Sequence, residues 1–526
     1  KLAKVMRKAP PLIAKGIAEG MQDAPLFEKV EQVNAYVNMF ISKEEFVKDV
    51  VEDVLQKEGE YGKTNIGDGI PVIVEFSSPN IAKPFHIGHI RSTVIGNSIY
   101  KLYDAMGYKV TRINHLGDYG TQFGKMIVAY RRWGNEEDVK REPIKTLLHY
   151  YTKFHVEAEK DPTLEDEARA TFTRLEHGEP EETKLWQWFR DESLKEFTRV
   201  YDMLGISYDS YAGESFYSDK MPAIVEELKK KNLLVESKGA MIVDLEPYGL
   251  TPAPILKSDG STLYITRDLA CAKYRKDTYN FYKNIYVVAS QQNLHFQQLK
   301  KILELMGYEW AKDIIHVPFG LVSLEDGTMS TREGRVVFLE DVLNRAIAET
   351  RDIIREKGVA TDNIEETAKQ VGVGAVVLNE LSNNRIKDYV FSWDKVLDFN
   401  GETGPYVQYT YARSASILRN AGEEAVSKAR GTINPSYITG ESAYALAKLV
   451  YKLPEVVIEA GEKYEPSIVT RHIVDIAQAF NRFYHDEHIL VDNEEERSAK
   501  LALVIAAKTA IKNGLALLGM EAPERM

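Results

Sequence analysis

The stretch Glu75-Phe-Ser-Ser-Pro-Asn-Ile-Ala-Lys-Pro-Phe-His-Ile-Gly-His89 decides how the rest of the chain is read. The apolar run Pro71-Val-Ile-Val-Glu-Phe76 predicts a buried parallel strand, and a turn rich in Ser, Pro and Asn follows. His-Ile-Gly-His then opens a helical pattern from Ile90 to Met106, with Gly107 placed to close it. A strand, a tight turn and a helix N-terminus make a phosphate site, because free backbone N–H groups and the positive dipole end point at the ligand. Gly88 lets a flat ring approach the backbone, and His86 and His89 can donate to phosphate oxygens. Two surface histidines at a helix start are the plain alternative.

Working outward, Tyr108-Lys-Val-Thr-Arg-Ile-Asn114 reads as a second strand. Strand, helix, strand is the first crossover of a doubly wound parallel sheet, so the expected fold is α/β. His115-Leu-Gly-Asp-Tyr-Gly-Thr-Gln-Phe-Gly124 is a glycine-rich loop at that strand's C-terminal end, where open α/β sheets bind ligands. From about 125 to 260, charged helices dominate (Glu165 to Arg174, Lys184 to Leu204, Lys220 to Leu234) before strand-like Ala240–Leu245; these read as insertions. Asp259-Gly260 is a hairpin-turn signal, Leu263–Thr266 a strand, and Asp268 a first-turn acid of the next helix. Asn284–Ala289 and His316–Val322 are further strands, the second followed by a loop from Glu325 to Gly334. Beyond about 335 the pattern is helical, punctuated by Pro454 and Pro466, with a last long helix from about Glu494 to Leu518. Residues 1–68 read as helices, including an amphipathic Val30–Val54, followed by a polar connection. The expected domains are 1–68, appended; 69–335, the sheet with its insertions; and 336–526, all-α.

The bulk numbers narrow the class. With 526 residues and 44% hydrophobic content the chain can hold three or so domains with real cores. A single cysteine, Cys271, excludes an intrachain disulfide framework and suits a reducing cytosol. No apolar run reaches membrane-spanning length. The net charge of −12 argues against wholesale polyanion binding, though the first fifteen residues carry five Lys/Arg and no acid. The chain begins with Lys rather than Met, so it is expected to start inside a longer protein. No His/Cys cluster has zinc spacing.

The HIGH tetrapeptide His86–His89, placed after a strand and before a helix, resembles the signature of class I aminoacyl-tRNA synthetases and related nucleotidyl transferases. Together with the 115–124 loop, Gln292-Asn-Leu-His-Phe296, Tyr406-Val-Gln-Tyr-Thr-Tyr-Ala-Arg413 and the ending Leu518–Met526, it resembles arginyl-tRNA synthetase over essentially the whole chain. The family's usual Lys-Met-Ser-Lys-Ser loop stands here as Thr328-Met-Ser-Thr-Arg332: Met329 and Ser330 match, both lysines are missing, and Arg332 or Lys83 is left to supply the cation. The family's N-terminal domain is longer, which implies that its first part is absent from these residues.

The resemblance implies arginine–tRNA ligase activity with a Rossmann-like class I catalytic domain, a small appended domain and an all-α anticodon-binding domain. The arginine carboxylate attacks the α-phosphate of ATP, and the adenylate then acylates the terminal ribose of tRNA(Arg). Ser78, Asn80, His89, Tyr264, Asp268 and Gln292 are implied to hold L-arginine, with Glu75 as a second carboxylate. A guanidinium is flat, permanently charged and has five donors, so a fixed carboxylate with neutral polar neighbours suits it. Taken alone, Asp268 is a helix-start acid, Tyr264 a strand aromatic and Gln292 a loop amide. ATP is expected against His86, Gly88, His89, His295, His316, Gly320 and Met329, with Mg²⁺ carried by its phosphates and no structural metal. Catalysis falls to His86, His89, Lys83, Met329, Ser330 and Arg332 through positioning and phosphate-charge stabilisation. Tyr406, Gln408, Tyr409, Arg413 and Arg419 are implied tRNA contacts by stacking and phosphate pairing, with core packing as the alternative for each tyrosine. A cytoplasmic monomer is expected. A smaller nucleotidyl transferase and a non-catalytic tRNA-binding paralogue remain as alternatives.

Overall fold

In the computed structural model, residues 2–81, 83, 85–258, 262–323, 337–356, 358, 363–396 and 401–526 are described, the side chains of 395 and 396 excepted. Four parallel strands form the central sheet: β3 (Pro71–Glu75), β4 (Lys109–Ile113), β8 (Lys283–Ala289) and β9 (Ile314–Phe319), in the order β4-β3-β8-β9. The interior strands β3 and β8 carry the buried runs Val72–Val74 and Ile285–Val287 because helices cover the sheet, whereas the edge strand β4 is largely polar. The helix Ile90–Ala105 crosses from β3 to β4, and the helix Asn293–Leu305 from β8 to β9. The winding runs outward from β3 to β4 and from β8 to β9. The reversal therefore falls between β3 and β8, where a doubly wound sheet opens a crevice at its strand C-termini. At that helix–strand seam a Cβ on Gly96 would stand 2.0 Å from the Phe76 Cβ, so only glycine lets the helix lie this close.

The insertion between β4 and β8 contains the long helices Pro143–Lys160, Thr163–Glu176 and Pro180–Met203. A three-stranded antiparallel sheet of β5 (Leu234–Ser237), β6 (Ala240–Val243) and β7 (Ala253–Leu256) follows. After β9 come a short parallel pair, β10 (Val322–Ser323) with β11 (Tyr389–Val390), and the helices Ile364–Ser382, Gly404–Ala421, Glu441–Lys463, Ser467–Asp486 and Glu494–Leu517. One hydrophobic core runs from the central sheet into these C-terminal helices: Leu102 and Met106 share it with Leu453, Val457 and Leu515.

Several expectations are corrected. Leu263–Thr266 is not a strand: Leu263 is extended, and a helix runs from Tyr264 to Tyr279. Ile265, Leu269 and Ala272 are its buried face, a helical spacing that the short apolar run concealed. The N-terminal part is not all helix. β1 (Phe27–Val33) and β2 (Tyr36–Ile41) form an antiparallel hairpin turning at Asn34 in the left-handed region. The helix Lys43–Lys57 begins only after it, with Ser42 Oγ accepting from the Glu45 N–H. The helix read as Lys220–Leu234 spans Met221–Lys230 and gives way to β5. Pro454 lies inside the Glu441–Lys463 helix and does not end it. The expected turn at 259–260 and the loop at 325–334 lie outside the described residues.

Candidate active site

The crevice between β3 and β8 divides into two adjoining cavities that share Ser78 and Val288. Ser77 and Ser78, directly after β3, both have positive φ (71° and 48°), a costly conformation for non-glycine residues. Hydrogen bonds hold the turn there: the Ser77 N–H donates to Ser92 Oγ, and the Ser77 hydroxyl meets Tyr201 and Thr93. Ser78 Oγ is buried without a protein partner at the junction of the two cavities.

The first cavity, of about 620 Å³, gathers Glu75, Ser78, Asn80, Tyr264, Asp268 and Gln292. Six of the seven residues expected around L-arginine therefore meet in one space, while His89 lines the second cavity. Tyr264 and Asp268 face it together because they stand one helical turn apart. Asp268 Oδ2 lies 2.6 Å from His295 Nε2. Burial raises the pKa of this carboxyl, but the His295 hydrogen bond, with His115 and Arg267 nearby, outweighs burial and holds it below its ordinary value.

Glu214 lines the cavity without any sequence signal, and Arg275, Arg267 and Asp118 stand behind its wall. Glu75 is paired with the fully buried Arg275, whose Nη1 lies 2.6 Å from Oε2 without an aligned hydrogen bond; the Arg275 guanidinium also faces the Tyr286 ring. Glu214 Oε2 lies 3.1 Å from Arg267 Nη1. Burial pushes Glu214 up to about 7; Arg267 opposes the shift, while Asp268 and Asp118 add to it. Asp118, of the 115–124 loop, fixes the neighbouring backbone by accepting from the N–H and hydroxyl of Ser215. Of the three carboxylates lining the cavity among the described residues, Glu75 and Glu214 each face an arginine, and Asp268 faces an imidazole.

The second cavity, of about 630 Å³, is lined by Ser77, His86, Gly88, His89 and Ser92 on one side and by Phe319–Ser323 and Asp388 on the other. His86 Nδ1 accepts from the Gly88 N–H at 3.1 Å, and His89 Nδ1 accepts from the His86 N–H at 3.1 Å. The Gly88 contact puts the His86 proton on Nε2, while His89 Nδ1 also lies 3.3 Å from the His86 carbonyl. Burial lowers His86 to about 4; His89 falls to about 3 through burial and the adjacent charges of His86 and Lys83. At neutral pH the pair consists of uncharged donors, and a cation for phosphate comes from elsewhere. The Lys83 ammonium is within electrostatic reach of both His89 and Glu214. Met329, Ser330 and Arg332 lie outside the described residues.

Of the residues expected around ATP, His86, Gly88, His89 and Gly320 share this cavity. His295 lines the first cavity instead. His316 stacks on Phe296 and bonds through Nε2 to the Val288 carbonyl at 2.9 Å, behind the wall. Among the described residues no group of three or more His, Cys, Asp and Glu could hold a metal ion.

The five residues expected at tRNA share the helix Gly404–Ala421 but not one environment. Tyr409 is exposed, and the Arg413 guanidinium sits over its ring at 4.9 Å and over that of Tyr484 at 5.4 Å. Tyr406 Oη accepts from Asn481 Nδ2. Arg419 Nη1 donates to the Glu524 carbonyl. Gln408 is fully buried and donates to the carbonyls of Gln370 and Glu521, so it packs the interior rather than the surface. Tyr484 joins Tyr409 and Arg413 from a helix distant in sequence, a contact that no local pattern signals.

Comparison with known proteins bears on this geometry. Residues 50–393 match the family described as tRNA synthetases class I (R), catalytic domain; 407–526 match the DALR anticodon binding domain, and 1–41 the arginyl tRNA synthetase N terminal domain. The arginine–tRNA ligases of Halothermothrix orenii and Clostridioides difficile are each 59% identical over 526 residues, covering 100% of this chain and 92% of theirs. Among solved structures, Thermus thermophilus arginyl-tRNA synthetase superposes with a TM-score of 0.82 at 26% identity, covering 100% of this chain and 93% of that one. The Plasmodium falciparum arginyl-tRNA synthetase gives 0.79 at 26% identity, covering 98% and 89%. A sheet wound about a HIGH-bearing turn, the paired cavities and these matches along the whole chain lead to one assignment: the chain belongs to the arginyl-tRNA synthetase family, with a class I catalytic domain.

Proposed function

We infer that this chain is an arginine–tRNA ligase that activates L-arginine with ATP and transfers it to the 3′ end of tRNA(Arg) in protein synthesis. The observation that carries this reading is the pair of cavities meeting at Ser78, one rich in carboxylates and the other built on a helix N-terminus. Arginine lies in the first with its guanidinium at Asp268, flanked by Tyr264, and its α-amino and carboxylate groups toward Ser78, Asn80 and Gln292. Glu75 is set by Arg275 and shapes the cavity wall; Glu214 supplies further negative potential. ATP lies in the second, its phosphates against the imidazoles of His86 and His89.

An arginine carboxylate oxygen attacks the α-phosphorus, and the bond from that phosphorus to the bridging oxygen breaks. Pyrophosphate carries the electron pair away. No general base is needed, because the nucleophile is already ionised; the chain supplies alignment and fixed donors. Lys83 or Arg332 supplies the cation for the leaving group. Mg²⁺ enters on the ATP phosphates as part of the substrate. The donor set supports this division, since Asp388, the one carboxylate among the described residues lining that cavity, already accepts the Leu321 N–H.

The domain division 1–68, 69–335 and 336–526 assigns tRNA contact to the first part, both chemical steps to the second and anticodon binding to the third. In the third, Tyr409 and Arg413, with Tyr484 beside them, form an exposed stacking and phosphate-pairing surface. No helix among the described residues is long and apolar enough to cross a membrane, which accords with a cytoplasmic enzyme; a monomer is the proposed state. Charging of bulk tRNA with labelled arginine, with lysine as the control, tests the reading. Arginine-specific charging supports it. Retained tRNA binding without charging by either amino acid points instead to a non-catalytic paralogue.

A further inference from the structure

The wall of the nucleotide cavity opposite the histidines is thin. Phe319, Gly320, Leu321, Val322 and Ser323 line it at the edge of the sheet, where among the described residues β9 has no further strand of that sheet beside it. Pro318 fits an edge strand because it lacks an N–H. The segment 385–391 supplies the missing neighbour. Gly320 N–H donates to the Arg385 carbonyl at 2.8 Å, Leu321 N–H to Asp388 Oδ1 at 2.6 Å, Tyr389 N–H to the Leu321 carbonyl and Phe391 N–H to the Ser323 carbonyl. The apposition is tight: a Cβ on Gly320 would stand 2.5 Å from the Lys387 carbonyl carbon.

Two arginines fix this rail. Arg91, second in the signature helix and fully buried, pairs with Glu380 at 2.6 Å and donates to the Lys387 carbonyl at 2.7 Å, while the Tyr389 hydroxyl bonds to the same glutamate. Arg385 works at the other end. Its Nη1 donates to the Pro318 carbonyl at 2.6 Å, its Nε donates to the Tyr464 carbonyl at 2.9 Å, and the Glu465 carboxylate lies 3.8 Å away. Tyr464 is the left-handed cap of the Glu441–Lys463 helix, whose C-terminal carbonyls favour a cation. One planar guanidinium thus spans the strand that walls the nucleotide and the end of a helix in the C-terminal region.

We propose that Arg385 is a positioning residue for adenylate formation: it ties Pro318–Leu321 to the end of the Glu441–Lys463 helix and so sets the wall against which the nucleotide packs. The inference rests on the reading that ATP occupies this cavity. Arg385 lines neither cavity, and the amino-acid cavity lies on the far side of Ser78. Its loss is therefore felt by ATP and not by arginine.

The test uses the full chain, with tRNA present, and compares Arg385→Met, Arg385→Lys and the control His86→Ala in pyrophosphate exchange, alongside their melting temperatures. Arg385→Met removes every donor; the KM for ATP is expected to rise about ten-fold while that for arginine stays within about two-fold, one charge-assisted contact being worth roughly a decade. Arg385→Lys retains a donor for Pro318 and is expected to recover part of the loss. A residue with only a folding role would lower the melting temperature and leave both constants alone at lower temperature. If Arg385→Met and Arg385→Lys leave the ATP constant unchanged, or shift both constants equally, while His86→Ala raises that for ATP, the inference fails and the cavity assignment stands. If His86→Ala also leaves the ATP constant unchanged, the cavity assignment itself is wrong.

Discussion

The Nε2 atom of His295 lies 2.6 Å from Oδ2 of Asp268, and both residues face the first cavity, on helices from opposite sides of β8 in sequence. The imidazole fixes one carboxylate oxygen and leaves the other for a ligand. The same contact keeps Asp268 ionised despite burial.

Asp268→Asn keeps the shape and removes the charge proposed to meet the guanidinium. A lost charge-assisted hydrogen bond costs about 1.5–3 kcal/mol, or roughly ten- to a hundred-fold in affinity. The KM for arginine is expected to rise by that factor and the KM for ATP to change little. A rise confined to ATP would remove Asp268 from the amino-acid site.

Glu214 is expected to give the first cavity, the proposed arginine site, a pH dependence. Its carboxyl titrates near about 7 in the folded chain against an ordinary 4.5. Between these values the folded chain holds a proton that the unfolded chain has released, so this group makes stability fall as pH rises through that window. Cation binding has the opposite sign: ionised Glu214 attracts the guanidinium, so the KM for arginine is expected to fall as pH rises through about 7. Glu214→Gln flattens that profile. An unaltered profile in the variant would assign the titration to another group.

Lys83 and Arg332 compete for one role. With His86 and His89 neutral, the pyrophosphate leaving group still needs a cation. Lys83→Ala is expected to lower kcat with the arginine constant nearly unchanged, the mark of a contact made mainly in the transition state. The loss is about 2.7–4 kcal/mol if it matches removal of a single oxyanion donor. If Arg332→Ala abolishes turnover and Lys83→Ala does not, the cation belongs to the 328–332 loop.

Arg275 is a structural prediction. Arg275→Met leaves Glu75 buried without its countercharge, which costs about 3–5 kcal/mol. The double variant Glu75→Gln/Arg275→Met removes both charges and is expected to recover a good part of that loss in a urea unfolding midpoint. No recovery would mean that Arg275 stabilises the chain by packing against Tyr286 rather than by neutralising Glu75.

The parts of the fold legible in the sequence are those whose signals are local. β3, the signature turn and the Ile90–Ala105 helix announce themselves through an apolar run, turn residues and a closing glycine within one short stretch. The 115–124 loop is visible by its glycines. The family resemblance points to Tyr264 and Asp268, while the local pattern puts them on a strand and a helix; one continuous helix is what aims both at the same cavity. Nothing near Glu214 or Arg275 in sequence marks a site: Arg267 pairs with the first while Asp118 holds the adjacent Ser215 N–H, and Glu75 of β3 faces the second. The hairpin at residues 27–41 was hidden by a short polar turn between two brief strands. Gln408 shows the converse, a polar residue in a surface-like pattern whose amide serves buried carbonyls.

The most direct test of the two-cavity account is a crystal structure with a non-hydrolysable arginyl-adenylate analogue. The account predicts the guanidinium against Asp268 and Tyr264, the acyl–phosphate mimic at Ser78, and the adenosine between His89 and the Phe319–Val322 wall. An analogue bound the other way round, with adenosine in the Asp268 cavity, or a guanidinium paired elsewhere than Asp268, would contradict it.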